Sequence, residues 1–262
     1  MRYAYHFEFC ERPELPEWLR GDLLLSLAWT QNLFGLTNVL GTTVPEFLKK
    51  SGAHALVELG SGSGDGLVHV SRGLPLSFPI LATDFFPHPA LWQSRLGEIM
   101  GARWSTVKVG FDNFHEVLAA ERLEGSALLM TTAFHHIPPD AARRFLENAA
   151  AVGAHVIVVE PLERTMLGVF LGGATGLPAL VFPLLARGVG FFRRLRMAVF
   201  HWAVPLIPAF LSHDGVVSSL RQRTHSDWQE LLSGLPFELD VRKNLGILGN
   251  FSVLLLKNSP HS

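Results

Sequence analysis

The sequence lacks a second cysteine, and it lacks an excess of charge of either sign. Cys10 stands alone, which excludes an internal disulfide framework and is typical of a protein from a reducing compartment. The 262 residues carry a formal net charge of −1, so no overall field attracts nucleic acid. We therefore expect no nucleic-acid partner.

A secretory leader is also missing from the sequence. Glu8, Glu11 and Glu14 stand where a leader needs basic residues, and the apolar run at 23–29 is too short to be its core. We therefore expect the mature chain to begin at its first residue and the protein to be cytoplasmic. Charged residues make up only 17% of the chain, and the apolar excess is concentrated in the segment 166–212.

The first two thirds of the chain alternate helix-like and strand-like segments. Apolar residues recur at helical spacing over 14–35, and Pro45 is predicted to open a short helix that ends near Gly52. Pro138 and Pro139 predict the start of a further amphipathic helix. The apolar runs between helices are nearly continuous, as in parallel strands covered on both faces. These runs are 54–59, 78–84, 104–110, 127–132 and 154–160.

The C-terminal part predicts a helix followed by a hairpin. Residues 226–229 have the pattern of a capping box, and 237–242 and 251–257 are strand-like with a turn at 244–250. Strands joined by so short a loop must be antiparallel. We predict an α/β fold with a doubly wound, mostly parallel seven-stranded sheet and an antiparallel last strand. The predicted regions are an N-terminal helical cap at 1–51, a core at 52–160, an apolar helical insertion at 161–224 and a completing helix and hairpin at 225–262.

The loop after the first strand, "ELGSGSGDG", is rich in glycine and could hold one of several ligands. A P-loop needs Gly-Lys-Ser/Thr after four residues, and the dinucleotide fingerprint needs a small residue in its sixth position. Counting from the first two glycines places an aspartate and a leucine there, which excludes both. The remaining pattern, acid-x-G-x-G-x-G, lets the backbone approach a neutral ribose and a zwitterionic amino acid, whose ammonium Glu58 can attract.

This loop resembles the first motif of the class I, Rossmann-like, S-adenosylmethionine-dependent methyltransferases. Their second motif is an acid at the tip of strand two that binds the ribose hydroxyls, matched here by Asp84 in "ILATDFFP". Phe85 stands where the family packs an apolar side chain on the adenine, and Asp112 matches the residue that binds its amino group. The resemblance covers roughly residues 52–160 and 225–257 and implies S-adenosylmethionine as the cofactor. The residues implied to bind it are Glu58, Gly60, Ser61, Gly62, Gly64, Asp84, Phe85, Phe111, Asp112 and Thr132.

The segment "TTAFHHIPP" after strand four lies where this family places acceptor-side and catalytic groups. A histidine suits a base near neutrality, so His135 and His136 are catalytic candidates, with helix capping or backbone bonding as the alternative. Glu160, at the end of strand five, is the third candidate. No metal site is expected, because adjacent histidines should point in different directions and a spaced set of further ligands is missing.

Four further residues are candidates for binding the methyl acceptor. Together with "FHH", the segments "EPLER" and "DGVVSSLR" resemble a little-characterised bacterial subgroup of these methyltransferases, a likeness that brings no known substrate. The acids and arginines of these segments could instead form structural ion pairs, namely 160 with 164 and 214 with 221. The acceptor-binding candidates are Phe134, Arg164, Asp214 and Arg221.

The insertion contains 21 uncharged residues at 166–186, enough for a helix to span a hydrocarbon core of ~30 Å. Gly168, Gly172 and Gly176 form two overlapping G-x-x-x-G steps, which predict a close-packing face. A second apolar run at 197–212 follows Arg187, Arg193, Arg194 and Arg196, with no acid between. A single span is excluded because the flanking strands share one sheet, and a two-span hairpin conflicts with the positive-inside tendency. An interfacial or re-entrant hairpin and an apolar lid over the cleft remain.

These features predict methyl transfer from S-adenosylmethionine to oxygen or nitrogen of a small, apolar molecule, in the cytoplasm or at the inner membrane face. The expected partners are the acceptor molecule and a membrane surface, and the sequence leaves the oligomeric state undecided. The alternative is a catalytically inactive, methyltransferase-like binding protein or membrane-associated scaffold.

Overall fold

A computed structural model describes residues 6–186, 190–247 and 251–259. The chain divides into two units, which are described separately. The first comprises residues 35–161 and 223–259 and contains the sheet. The second comprises residues 6–34 and 162–222 and is helical.

The sheet has seven strands in the order β3-β2-β1-β4-β5-β7-β6. The first five are parallel, and β7 lies between β5 and β6 and runs antiparallel to both. This confirms the predicted fold. β1 and β2 are buried over their whole length and β4 over all but its last residue, which explains their continuous apolar sequence. The strands are β1 (Leu56–Leu59), β2 (Ile80–Thr83), β3 (Ala102–Trp104), β4 (Ala127–Thr131), β5 (His155–Pro161), β6 (Phe237–Leu245) and β7 (Phe251–Asn258).

Helices cover the sheet of the first unit. α6 begins at Pro139, as the paired prolines predict, and its buried residues join the main apolar core with those of β4 and β5. These helices are α2 (Leu36–Ser51), α3 (Asp65–Ser71), α4 (Pro89–Leu96), α5 (Phe114–Glu121), α6 (Pro139–Ala151) and α12 (His225–Leu232).

Three local predictions in this unit are wrong. Pro45 does not open a helix but lies inside α2, whose buried apolar face continues on both sides of it. The capping box belongs to Thr224 and Asp227 rather than to 226–229. The third strand lies at Ala102–Trp104, where it pairs with β2. Beyond it, the N–H groups of Ser105 and Val109 still donate to the carbonyls of Ala82 and Asp84, but 105–110 does not form a strand. Part of the predicted turn at 244–250 lies outside the described residues.

The second unit combines the N-terminal helix with the apolar insertion. No single described helix is both long and apolar enough to cross a bilayer, whereas Phe191–Ala203 and Leu206–Arg221, bent by 65°, meet those criteria of length and composition only as a pair. The helices are α1 (Glu17–Leu33), α7 (Met166–Gly173), α8 (Gly176–Ala179), α9 (Phe182–Leu185), α10 (Phe191–Ala198), a π-helical turn (Val199–Ala203) and α11 (Leu206–Arg221).

The predicted close-packing face exists, and its partner is α11 of the same chain. A Cβ added to Gly172 would lie 2.3 Å from the carbonyl oxygen of Gly215, and one added to Gly176 would lie 2.2 Å from that of Pro208. Ser219 donates its hydroxyl to the carbonyl of Gly168 at 3.0 Å. Glycine is therefore required at these steps because α7, α8 and α11 approach with backbone against backbone.

The arginines of the insertion have an acidic partner that lies far away in the sequence. Asp22 on α1, with its side chain only 1% exposed, accepts from Arg193 Nε at 2.9 Å and from Arg196 Nη2 at 2.8 Å. Arg194 donates to the carbonyl of Ala186 at 2.6 Å. Arg193 and Arg196 are thus paired with an acid of α1, and Arg187 lies outside the described residues.

Candidate functional site

The glycine loop is built on the carboxyl end of β1. Gly60, Gly62 and Gly64 have φ values of 77°, 49° and 79°, in the region that glycine adopts without a steric penalty. The N–H groups of Gly60 and Ser61 both donate to the carbonyl of Thr83, at 3.0 and 2.9 Å, which ties the loop to the end of β2. The alternating glycines therefore occupy positions whose left-handed backbone conformation favours glycine.

Glu58 lies under this loop and is 1% exposed. Its Oε1 accepts the hydroxyl of Thr131 at 2.9 Å, whereas its Oε2 is buried with no hydrogen-bond partner among the described residues. Burial raises the pKa of Glu58 to about 8, because the carboxylate loses its hydration. A Cβ on Gly66 would lie 2.6 Å from Oε1, so only glycine leaves room for this carboxyl group at the start of α3.

Asp84 follows β2 and faces the glycine loop. Its Oδ2 accepts the N–H of Gly62 and its Oδ1 accepts the N–H of Phe86, both at 2.8 Å. The loop is also fixed from its other side, since the indole Nε1 of the buried Trp92 donates to the carbonyl of Gly62 at 3.0 Å. The two acids predicted to bind the cofactor are thus brought to neighbouring strand ends with the loop between them.

Phe85 and Asp112 meet beside Gly110. A Cβ on Gly110 would lie 2.8 Å from Asp112 Oδ1 and 3.6 Å from the ring of Phe85. The Phe85 ring is 54% exposed, and Lys108 Nζ lies 5.5 Å from its centroid. An exposed aromatic ring beside an exposed carboxylate can bind a flat polar ring, and binding of adenine by these two residues stays a prediction.

Two aromatic candidates belong to the core instead. Phe134 is 1% exposed and stacks on Trp228 with ring centroids 4.7 Å apart, so the prediction that its side chain contacts the acceptor is wrong. Phe111 packs its ring edge-on against Phe145, at 6.2 Å, and only its backbone remains a candidate for cofactor binding. Both residues are neighbours of site residues in the sequence, but their side chains pack in or against the apolar core.

His135 and Glu160 form one buried pair. Nδ1 of His135 lies 2.8 Å from Oε2 of Glu160, and the backbone N–H of His135 donates to Oε1 at 3.0 Å. Their side chains are 3% and 5% exposed. An accepting carboxylate keeps the proton on Nδ1, so Nε2 carries the lone pair of the neutral ring. Glu160 therefore positions His135. The alternative structural pair of Glu160 with Arg164 stays a prediction.

His136 lies beside this pair and is half-buried. Its ring centroid is 4.2 Å from that of His135, with an angle of 38° between the planes. The expectation that adjacent histidines point in different directions is therefore wrong, because the 3₁₀ turn at Phe134–His136 places both rings side by side.

Thr132, at the end of β4, has a φ of 52°, which is unfavourable for a β-branched residue. Its N–H donates to the carbonyl of Val159 at 2.7 Å, so pairing to β5 holds it in this conformation. Such strain costs about 1–3 kcal/mol and is concentrated at functional sites. In the sequence, Thr132 lies between Thr131, which contacts Glu58, and the turn that carries His135.

Known structures share this arrangement of strands and loops. The plantazolicin methyltransferase BpumL in complex with SAH matches 92% of this chain and 96% of its own, with a TM-score of 0.54 and 11% identity. An O-methyltransferase family protein from Burkholderia thailandensis has a TM-score of 0.52 at 12% identity, over 93% of this chain. A DUF574 family protein from Streptomyces avermitilis has a TM-score of 0.50 at 13% identity, over 86% of this chain and 82% of its own.

The fold is that of the class I S-adenosylmethionine-dependent methyltransferases. Neither a protein-family model nor a curated protein sequence matches the chain. The chain spans 60% of the Burkholderia protein and 50% of another similar structure, the pyocyanin biosynthetic protein PhzM. The likeness to these methyltransferases concerns the fold alone.

Two residues predicted to bind an acceptor hold the N-terminal segment. Asp214 accepts the N–H groups of Phe9 and Cys10 at 2.7 and 3.1 Å, and burial raises its pKa. Arg221 pairs with Glu8 and Glu11 at 3.3 and 2.7 Å. The predicted pairing of Asp214 with Arg221 is wrong, and both serve the packing of the second unit. Arg164 is half-buried at the start of the insertion, and its role in acceptor binding stays a prediction.

Two residues of the candidate site are not among those predicted from the sequence. Gly66 continues the spacing of two in the glycine loop, a signal that the sequence did contain. No sequence pattern near Arg223 indicates its role. Its Nη1 donates to the carbonyl of Phe134 at 2.9 Å and its Nη2 to that of Ile137. Its guanidinium lies 4.4 Å from the ring centroid of Phe134. It fixes the turn that carries both histidines.

Proposed function

We propose that the protein is a methyltransferase that uses S-adenosylmethionine to methylate oxygen or nitrogen of a small, apolar molecule. The observation that carries the proposal is Glu58, whose buried Oε2 lacks a partner among the described residues below a glycine loop that Asp84 ties down. A buried carboxyl oxygen of this kind is destabilising by about 1–3 kcal/mol unless a ligand supplies a donor.

The residues present fit this cofactor. Glu58 would hold its ammonium group, Asp84 its ribose hydroxyls, and Phe85 with Asp112 its adenine. When bound, S-adenosylmethionine supplies a methyl group already activated on a sulfonium centre. A cation beside Glu58 favours the carboxylate over the neutral acid, so the group that burial makes protonated near neutral pH becomes charged when it has a partner.

The acceptor side of the proposal rests on His135. Alignment of an acceptor can contribute ~7–11 kcal/mol to an in-line displacement, and an oxygen or nitrogen acceptor must also lose a proton. His135 would accept that proton at Nε2, while Glu160 holds Nδ1–H and fixes the ring. General-base catalysis of this type contributes about 10²–10⁴ in rate.

The direct experiment combines binding and turnover. Calorimetry with S-adenosylmethionine, S-adenosylhomocysteine and NAD tests the cofactor, and tritium transfer from labelled S-adenosylmethionine to a panel of phenols and amines tests the reaction. We expect micromolar binding of the first two ligands and transfer to an apolar acceptor. Tighter binding of NAD overturns the proposal. Cofactor binding without transfer to any extractable cell metabolite supports the inactive scaffold instead.

A further inference from the structure

Helix α10 and the π-helical turn after it carry a row of exposed apolar side chains. Phe191, Phe192, Leu195, Val199 and Trp202 are 75%, 84%, 54%, 39% and 48% exposed, respectively. Steps of one, three, four and three residues place them on one face of a helix. We call these five residues the outer stripe.

The charged side of the same helix faces inward. Arg193 and Arg196 both bind Asp22, whose side chain is 1% exposed, and Met197 and His201 on this side are fully buried. An ordinary surface helix turns its charged face to water and its apolar face to the core. α10 does the reverse, and this orientation is fixed by the hydrogen bonds to Asp22.

The apolar surface continues beyond α10. The indole Nε1 of Trp202 donates to the carbonyl of Leu180 at 2.8 Å, and Arg194 donates to that of Ala186, so the stripe lies against the segment that contains α9. On α9, Leu184 and Leu185 are 66% and 54% exposed. Large contiguous apolar surfaces of this kind mark sites of association rather than ordinary solvent-facing surface.

Charge distinguishes the occupants that such a surface could have. The sequence has no acid between 166 and 212, whereas it has arginines at 187, 193, 194 and 196. The one carboxylate of Asp22 serves two guanidinium groups whose side chains remain 35% exposed, so the surroundings of the stripe keep a positive balance. Apolar side chains rimmed by cations, with a tryptophan among them, complement an anionic lipid surface.

We propose that the outer stripe seats the second unit in one leaflet of an anionic bilayer. α10 has eight residues and spans ~12 Å, against a hydrocarbon core of ~30 Å, which suits a helix lying in the interface. α11 is engaged by α7 and α8 through the glycine contacts described above, so it serves as the inner support of α10 rather than as a span. This proposal rests on the second unit alone and does not depend on methyl transfer.

Vesicle flotation tests the proposal with the full chain, purified without detergent. The probes are vesicles of phosphatidylglycerol and phosphatidylcholine, and vesicles of phosphatidylcholine alone. We expect the wild type to float with the anionic vesicles and less with the neutral ones. The double variant Phe192→Glu and Leu195→Glu should reduce the partition coefficient at least tenfold, and Arg194→Gln should weaken its dependence on salt.

The matched control is the double variant Leu76→Glu and Met100→Glu, which changes two exposed apolar residues of the first unit, 83% and 65% exposed, in the same way. It should float like the wild type, and circular dichroism should show that all variants are folded. Failure of the wild type to float overturns the proposal, as does flotation that the double variant retains. A dimer in sedimentation that the double variant abolishes, without flotation, would assign the stripe to self-association instead. Binding of S-adenosylmethionine is measured separately and distinguishes failure here from failure of the proposed activity.

Discussion

The hydroxyl of Thr131 donates to Oε1 of Glu58 at 2.9 Å across the neighbouring strands β4 and β1. Together with the side chain of Ser61, it favours the carboxylate form of Glu58 in a buried environment that otherwise disfavours it. Because desolvation outweighs this bond, the pKa of Glu58 rises from 4.5 to about 8. The first two predictions follow from this balance.

The free energy of unfolding should fall as the pH rises above about 4.5 and reach a lower plateau above about 8. The folded-state pKa is raised, so the contribution of Glu58 is fully present below its unfolded pKa and is lost as the pH rises through the folded one. The slope from this group is about 1.4 kcal/mol per pH unit within that window. Urea unfolding of Glu58→Gln should lack this component and give a more stable protein than the wild type at pH 8.5. Parallel pH curves for the two proteins would contradict the assignment.

The affinity for S-adenosylmethionine should rise with pH up to about 8, because a bound ammonium lowers the pKa of Glu58 and so releases a proton. Calorimetry in buffers of different ionisation enthalpy measures the number of protons released. Glu58→Gln should bind more weakly and release fewer protons at pH 7. Since the ligand's own amine titrates equally in both experiments, identical proton release would remove Glu58 from the cofactor site.

Asp84→Ala should weaken binding of S-adenosylmethionine and S-adenosylhomocysteine by roughly tenfold to 100-fold, in line with the 1–3 kcal/mol of unpaired polar groups. The change also removes the acceptor for the Gly62 N–H, so the glycine loop loses one of its ties. Calorimetry measures both affinities. Asp240→Ala, an exposed acid on β6, is the matched control and should bind as the wild type does. Unchanged affinity in the Asp84 variant would refute the cofactor assignment.

His135→Gln should reduce turnover by about 10²–10⁴ while leaving cofactor affinity within a factor of three. Glu160→Gln should reduce it less and shift the pH optimum, because it alters the group that holds Nδ1. His136→Gln is the neighbouring control, and its effect on turnover decides between the two histidines. Equal, full activity in all three variants would make the pair structural and would leave the base to be sought elsewhere.

Gly172→Ala should destabilise the second unit by about 1–3 kcal/mol, the usual cost of overpacking, because its Cβ would lie 2.3 Å from the Gly215 carbonyl oxygen. Gly21→Ala is the matched control in α1, where no atom lies within 4 Å of the new Cβ. That change should stabilise by about 0.5–1 kcal/mol, as Ala replaces Gly inside a helix. Thermal unfolding of both variants measures the difference, and a neutral Gly172→Ala would show that α7 and α11 are less tightly packed.

The sequence was sufficient where function depends on neighbours along the chain. The glycine loop and the strands of the sheet follow from local patterns, because β1, its loop and α3 form one continuous unit. Asp84 follows only from the resemblance of its segment to the second motif of the methyltransferase family. Phe134 was misassigned because a core aromatic beside a site histidine has the same local sequence as an acceptor-binding one. The 3₁₀ turn decides which of these side chains faces the core.

Contacts between residues that lie far apart in the sequence cannot be predicted for a different reason. Asp22 and Arg196 are separated by 174 positions, and no period or motif relates them. The same holds for Arg223 and the turn it fixes, 89 positions earlier. Only the packed structure reveals that the arginines of α10 face inward, and this reverses the orientation that composition alone suggests.

The place of β7 in the sheet has a consequence for synthesis of the chain. β5 pairs with β7 and not with β6, although β6 precedes β7 in the chain. On the ribosome, β5 therefore keeps an unpaired edge of N–H and C=O groups while some 90 further residues, the apolar insertion among them, emerge. Any truncation before Phe251 leaves that edge open permanently. A nascent chain of this kind needs protection against edge-to-edge association until β7 has emerged and paired with β5.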